Sequence, residues 1–300
     1  MVRIAFDAIY AHPLPENHRF PMLKYELIPA QLLHEGTYTA DHFFIPKACD
    51  ASVVLKTHEA DYYQKLISLQ LSAAEQRAIG FPQSKTLIER EFIITQGTID
   101  CSIAALANGI SLNVAGGTHH AFADRGEGFC ILNDMCVAAN YLLDHNYCKK
   151  IMIVDLDVHQ GNGTAKIMEN NPDVFTFSMH GATNYPFRKE KSDLDIALEN
   201  STNDETYLTI LKKTLPKLIY QENPDFIYYL CGVDVIESDK LGKLSLTIGG
   251  CKERDRFVLQ TCFDHKIPVM CSMGGGYSPD IKTIVEAHAN TFRLAQEIYF

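Results

Sequence analysis

The chain predicts an α/β fold: a mostly parallel central sheet with helices on both faces. Three observations carry that expectation. Apolar runs of four or five residues recur from about residue 90 onward, stretches of helical spacing separate them, and no linker or repeat interrupts the alternation. Strand–helix alternation of this kind needs crossover connections, which make neighbouring strands parallel.

The elements follow in order. Residues 1–7 begin as a short strand that reaches an acid at Asp7. Helical spacing marks Tyr25 to His34 and Ala60 to Leu71. Pro13, Pro15, Pro21, Pro29 and Pro46 break the first 90 residues into pieces, read as loops and helices around the same sheet. Beyond them the pattern predicts a helix over 93–108, a strand at 111–114 and a helix over 134–145. A buried strand at 151–154, a helix near 163–169 and a strand at 174–178 come next. A long loop leads to a helix over 204–221, then a strand at 226–230, a helix over 252–264 and a strand at 268–272. A last helix covers 281–298, where Ile284, Ala287, Phe292, Leu294 and Ala295 fall at core spacing. Residues 1–300 read as a single domain.

Composition excludes several functions. A net charge of −10 argues against a nucleic-acid surface, which demands clustered Lys and Arg. No run of eighteen apolar residues predicts a membrane span, and the first residues lack a signal-peptide core. The nine cysteines show no C-x-x-C spacing, and several lie inside apolar runs. Buried, reduced thiols in a cytoplasmic protein are the expectation.

In open parallel sheets ligands bind beyond the carboxyl ends of the strands. Five successive exits here carry chemistry: Gly116-Gly117-Thr118-His119-His120, Asp155-Leu156-Asp157-Val158-His159, Ser178-Met179-His180, Gly232-Val233-Asp234, and Gly274-Gly275-Gly276-Tyr277. Singly each is bland, since an Asp after a strand is commonly a helix cap and Gly-Gly-Gly a turn. Together at one sheet edge they point to an active site. Asp157 and His159 lie two apart, about 7 Å along an extended chain. They can converge on one cation, with Asp234 as a third ligand. Three protein ligands leave positions open for catalysis, and an Asp/His/Asp set suits Zn²⁺, with Fe²⁺ or Co²⁺ as competitors.

The motifs G-G-T-H-H-A at 116–121, G-F-C-I-L-N-D at 128–134, D-L-D-V-H-Q-G-N-G at 155–163, G-V-D at 232–234 and G-G-G-Y at 274–277 resemble the zinc-dependent histone deacetylase family. That family includes the acetylpolyamine amidohydrolases and has the arginase–deacetylase fold. H-R-F-P-M-x-K-Y at 18–25 is similar to compact bacterial and class IV members. The resemblance implies Asp157, His159 and Asp234 as metal ligands and His120 as the general base that activates water and later protonates the amine. It implies His119 as a charged partner, Asp155 behind it, and Tyr277 as the oxyanion donor. Gly128, Phe129 and Tyr185 would line a tunnel for the acyl-lysine stem, and Arg19 an inner cavity for the released acid. Asp155, Asp157, His159, Ser178 and Met179 would surround a structural K⁺.

Asn162 stands where well-known relatives carry an acid behind the general base, and Gln160, Val233 and Thr118 also depart from common residues. Leu241 occupies the place of the acidic gatekeeper of polyamine-specific relatives. The expected function is hydrolysis of acetyl- or longer acyl-lysine in a protein or peptide. Acetylpolyamine hydrolysis and acyl-lysine binding without turnover are the alternatives. His58, His145, His265 and His288 read as ordinary surface or core histidines, and His180 as structural or part of a wall.

Overall fold

In chain order the elements are β1 (Arg3–Ala5), α1 (Lys24–His34), β2 (Phe43–Phe44), α2 (Ala51–Val54), α3 (Ala60–Ile67), α4 (Ala73–Ile79), α5 (Lys85–Asn108), β3 (Ile110–Asn113), α6 (Asp134–Asp144), β4 (Ile151–Asp155), α7 (Asn162–Met168), β5 (Val174–Gly181), β6 (Leu194–Leu198), α8 (Asp204–Glu222), β7 (Phe226–Leu230), α9 (Ile248–Asp264), β8 (Val269–Ser272) and α10 (Ile281–Tyr299). The computed structural model describes residues 1–300. All eight strands join one parallel sheet in the order β2-β1-β3-β8-β7-β4-β5-β6.

Helix starts follow local chemistry. Ser84 Oγ accepts from the Leu87 amide at 3.0 Å, Asn133 Oδ1 from Cys136 at 3.2 Å, and Thr247 Oγ1 from Gly250 at 2.9 Å. Each such cap contributes about 1 kcal/mol. The strands β3, β4, β7 and β8 are buried at every residue, which explains why they read as unbroken apolar runs. Helix α5 packs on β1, β3, β8 and α6, whereas α10 packs on α1 and α9, and α9 on α8. One continuous core of 79 buried residues joins the layers.

Five expectations change. Helix α5 starts at Lys85, not 93, because its first turns bury Arg90 and Glu91 as an ion pair that interrupts the apolar spacing. Helix α4 was not expected; a Ser72–Glu75 capping box starts it and Gly80 at φ 86° ends it. The expected long loop after β5 contains β6, an edge strand whose half-exposed Leu-Asp-Ile-Ala-Leu carries a weak pattern. Strand β2 is only two residues long. The expected helix over 60–71 stops at Ile67, and Leu69 takes φ 56°.

Candidate active site

The site stands over the four adjacent central strands β3, β8, β7 and β4. Asp157 and His159 follow β4, Asp234 follows β7, His119 and His120 follow β3, and Tyr277 follows β8. One ligand atom from each of Asp157, His159 and Asp234 lies within 4.8 Å of the others, all three residues buried. His159 Nδ1 is 3.0 Å from Asp157 Oδ1 and 3.1 Å from Asp234 Oδ2. Neighbouring exits hold the carboxylates: the Val158 amide donates to Asp234 Oδ1 at 2.9 Å, and the Gly275 amide to Asp157 Oδ2 at 2.8 Å. A Cβ on Gly275 would sit 2.0 Å from Asp234 Oδ2, so that approach requires glycine.

This trio fits a divalent cation. Asp234 Oδ2 is buried and receives no hydrogen bond. Burial and then Asp157 push the Asp234 carboxyl up to about 7. Burial opposes a charge on His159, yet its hydrogen bond to Asp157 and the charges of both carboxylates raise it to about 10. Two buried carboxylates are competing for one positive charge, which is the electrostatic condition that an ion relieves.

A buried cation outside the expected set fixes the two ligand-bearing loops together. Arg254 on α9 donates from Nη1 to the carbonyls of Leu156 (3.1 Å) and Gly232 (2.7 Å), and from Nη2 to that of Cys231 (3.2 Å). Asp255 balances its charge and also accepts from Tyr229 Oη and Thr291 Oγ1.

The His119 and His120 rings lie 4.1 Å apart, tilted by 46°, and have opposite environments. Burial alone would strip His119 of its proton, but Asp155, 2.7 Å from Nδ1, and Asp157 outweigh it and raise the ring above its ordinary value. His120 is held well below 6.5 by burial, then by His119 and His159. Its Nδ1 meets Asn162 Oδ1 at 2.6 Å, so the predicted place behind the base is occupied by the amide. Behind that amide stands Glu127. Its Oε2 lies 3.5 Å from Asn162 Nδ2 and accepts from Tyr185 Oη at 2.8 Å, while Arg125 Nε donates to Oε1 at 2.8 Å.

Gly128, Phe129 and Tyr185 line an outer pocket of about 500 Å³, with His120, His159 and Tyr277 at its floor. A Cβ on Gly128 would meet His120 Cδ2 at 2.7 Å and Tyr185 Cε1 at 3.3 Å. Phe129 takes φ 68°, held there as the Gly128 and Phe129 amides donate to the carbonyls of Ala78 and Ile79. Tyr277 is anchored through its amide to Asp239 Oδ2 at 2.6 Å, and buried Lys24 donates to the Gly274 carbonyl at 2.9 Å. Burial, then Asp234 and Asp157, keep the phenol protonated.

The placement of Arg19 is corrected. It is exposed at the outer pocket, its guanidinium 4.9 Å from the Phe129 ring, while the adjacent Phe20 turns inward. The arginine lining the inner cavity, about 40 Å³, is Arg90. It can be buried because Glu91 pairs with it and the Tyr10 carbonyl accepts from Nε at 2.7 Å. Asp155 and Ser178 pair in register across β4 and β5, whereas the Met179 side chain packs in the core, leaving only its backbone for an ion. Leu241 lines the outer pocket and Thr118 the inner one.

The ordinary histidines are structural. His58 Nε2 accepts from the Asn133 amide at 3.0 Å, His180 lies 3.0 Å from Ser178 Oγ, and His145 and His265 sit at the ends of α6 and α9. His288 is buried behind Gly276.

Sequence reasoning missed Glu127, Lys24, Arg90, Asp239 and Arg254 as site-building residues. Glu127 sits one place before a recognised motif and Lys24 within another. Arg254 carried no signal, being one of several charges on a helix.

The sequence profile of the histone deacetylase domain matches residues 18–292. An uncharacterised protein of Picosynechococcus sp. is 41% identical over 99% of both chains. Histone deacetylase 2 of Arabidopsis thaliana is 30% identical over 60% of this chain and 48% of its own, so the chain spans about half the length of that plant protein. The crystal structure of an HDAC homolog from Aquifex aeolicus superposes with a TM-score of 0.83 at 21% identity, covering 97% of this chain and 82% of that one.

Proposed function

The chain belongs to the histone deacetylase domain family, and on that premise we propose that it hydrolyses acetyl or longer acyl groups from lysine side chains of proteins or peptides. The observation that carries this reading is the buried Asp157–His159–Asp234 trio, flanked by a neutral His120 and a protonated Tyr277. The O, N, O donor set suits Zn²⁺, with Fe²⁺ or Co²⁺ as substitutes. When bound, such an ion supplies the Lewis acidity that acidifies water and polarises an amide carbonyl.

The chain's own residues do the rest. With Nδ1–H directed at Asn162 Oδ1, His120 presents a free Nε2 to take a proton from the attacking water. Such a positioned base contributes on the order of 10²–10⁴-fold. The charged His119, backed by Asp155, disfavours a second resting charge on His120. Tyr277 Oη donates to the oxyanion, worth roughly 3–4 kcal/mol. His120 then returns its proton to the departing amine. Gly128, Phe129 and Tyr185 line the part of the pocket that would receive the aliphatic stem.

Further support concerns the surroundings. One sheet and one core favour a single catalytic domain over residues 1–300. Asp155, Asp157, His159, Ser178 and the Met179 backbone are the candidate K⁺ site. Nine buried free cysteines suit a reducing cytoplasm, and no helix is long and apolar enough to cross a membrane. No carboxylate lines the outer pocket, which disfavours acetylpolyamines.

The test is turnover by zinc-loaded protein of lysine peptides with acyl chains of increasing length, beside acetylspermidine. We expect peptide hydrolysis and a loss of about 10²–10³ in kcat for Tyr277→Phe with KM nearly unchanged. Untouched peptides, or a Tyr277→Phe variant that works as well as the parent, would overturn the reading.

A further inference from the structure

The mouth of the outer pocket opposes the charge of the whole molecule. The chain carries 37 acids against 27 Lys and Arg. Yet the fourteen residues lining that pocket include Arg19, Arg77 and Lys243 and not one Asp or Glu. The three come from distant segments: the loop before α1, helix α4, and the loop before α9. All three are exposed, and none has a carboxylate within 4.0 Å.

Two of them are held in place. Lys243 Nζ donates to Thr183 O and Oγ1, each at 3.1 Å, and the Arg19 guanidinium lies 4.9 Å from the Phe129 ring. Two acids of the surrounding loops are already engaged. Asp239 is buried, accepting amides of Tyr277, Leu241 and Gly242, and Glu127 is taken by Arg125 and Tyr185. The deep carboxylates of Asp157 and Asp234 do not offset the rim, because a divalent ion would balance them. A solvated surface of an acidic protein has no reason to gather three unpaired cations around one opening.

We propose that this mouth selects acyl-lysines flanked by aspartate or glutamate. The inference rests on the amidohydrolase reading for its acyl-lysine and adds the charge of the surrounding peptide. Residues one or two places from the acyl-lysine lie within about 7 Å of it along an extended strand, so they fall at the rim while the stem fills the passage. Exposed ion pairs are individually weak, but three cations on one side of an opening add in affinity and in the rate of encounter.

The test uses three amidated acyl-lysine peptides, identical except for acidic, neutral or basic neighbours. Turnover by zinc-loaded protein and direct binding by fluorescence anisotropy are both measured. We expect the acidic peptide to exceed the basic one about five- to tenfold in kcat/KM, through KM, and to bind correspondingly tighter. Salt at 0.5 M should compress that ratio toward one, and the double variant Arg77→Glu, Lys243→Glu should invert it. Equal binding of the three peptides, or preference for the basic one, overturns the proposal while turnover preserves the amidohydrolase reading. Salt-sensitive preference for the acidic peptide without hydrolysis supports the rim and overturns the amidohydrolase reading. The salt arm needs only the parent protein, so a poorly folded variant does not remove the test.

Discussion

His120 must be neutral to accept a proton, and burial beside the charged His119 keeps it so. Because its proton affinity is lowered, activity should persist as pH falls through the ordinary imidazole value of about 6.5 and fail only below it. An acid limb of kcat/KM above pH 7 would remove His120 from the role of base. Asn162 presents either face with nearly equal shape, and Glu127 decides which, by taking the Nδ2 side. Glu127→Gln should therefore lower kcat about tenfold with little change in KM. In an Asn162→Asp background the same change should cost much less, since a carboxylate then touches His120 directly; equal losses in both backgrounds would show that Glu127 acts elsewhere. Gly128→Ala places a methyl 2.7 Å from His120 Cδ2 at a positive φ, so turnover should fall at least tenfold while the thermal midpoint moves only a few degrees.

Among the elements, α9 matters to the site through one side chain. Arg254 joins the exits of β4 and β7, so Arg254→Met should destabilise by about 3 kcal/mol and weaken zinc binding in a titration read without substrate. Unchanged zinc affinity would reduce Arg254 to a packing role. The same residue shows where reading a sequence stops. Strands β3, β4, β7 and β8 were legible because burial on both faces demands continuous apolar runs. The ligands were legible because strand exits compress chemistry into five residues, as in Asp155 to His159. Strand β6 was not, since an edge strand needs only half a pattern. Nor was the start of α5, where the Arg90–Glu91 pair substitutes for apolar residues. Arg19 and Arg90 exchanged places for a tertiary reason: only the arginine with an adjacent acid and a free carbonyl can be buried.

At the scale of the molecule, terminal helices close the fold through Arg293, which donates to Glu35 Oε1 at 2.8 Å and Oε2 at 2.7 Å, tying α10 to the end of α1. Those hydrogen bonds depress the Glu35 carboxyl to about 2. A depressed carboxylate stabilises the fold above its unfolded value near 4.5 and loses that contribution as pH falls toward 2. Arg293→Gln should cost at most about 1 kcal/mol at pH 7, the pair being solvent-screened, and progressively less between pH 4.5 and 2. A cost that grew on acidification would contradict the assignment. The sharing of the metal trio and Tyr277 among β4, β7 and β8 has one more outcome, for synthesis. During translation the chain offers Asp157 and His159 first, Asp234 some 75 residues later and Tyr277 after that. A ribosome-bound nascent chain thus gains a grip on the ion only once β7 has emerged, and a working phenol only once β8 has followed it.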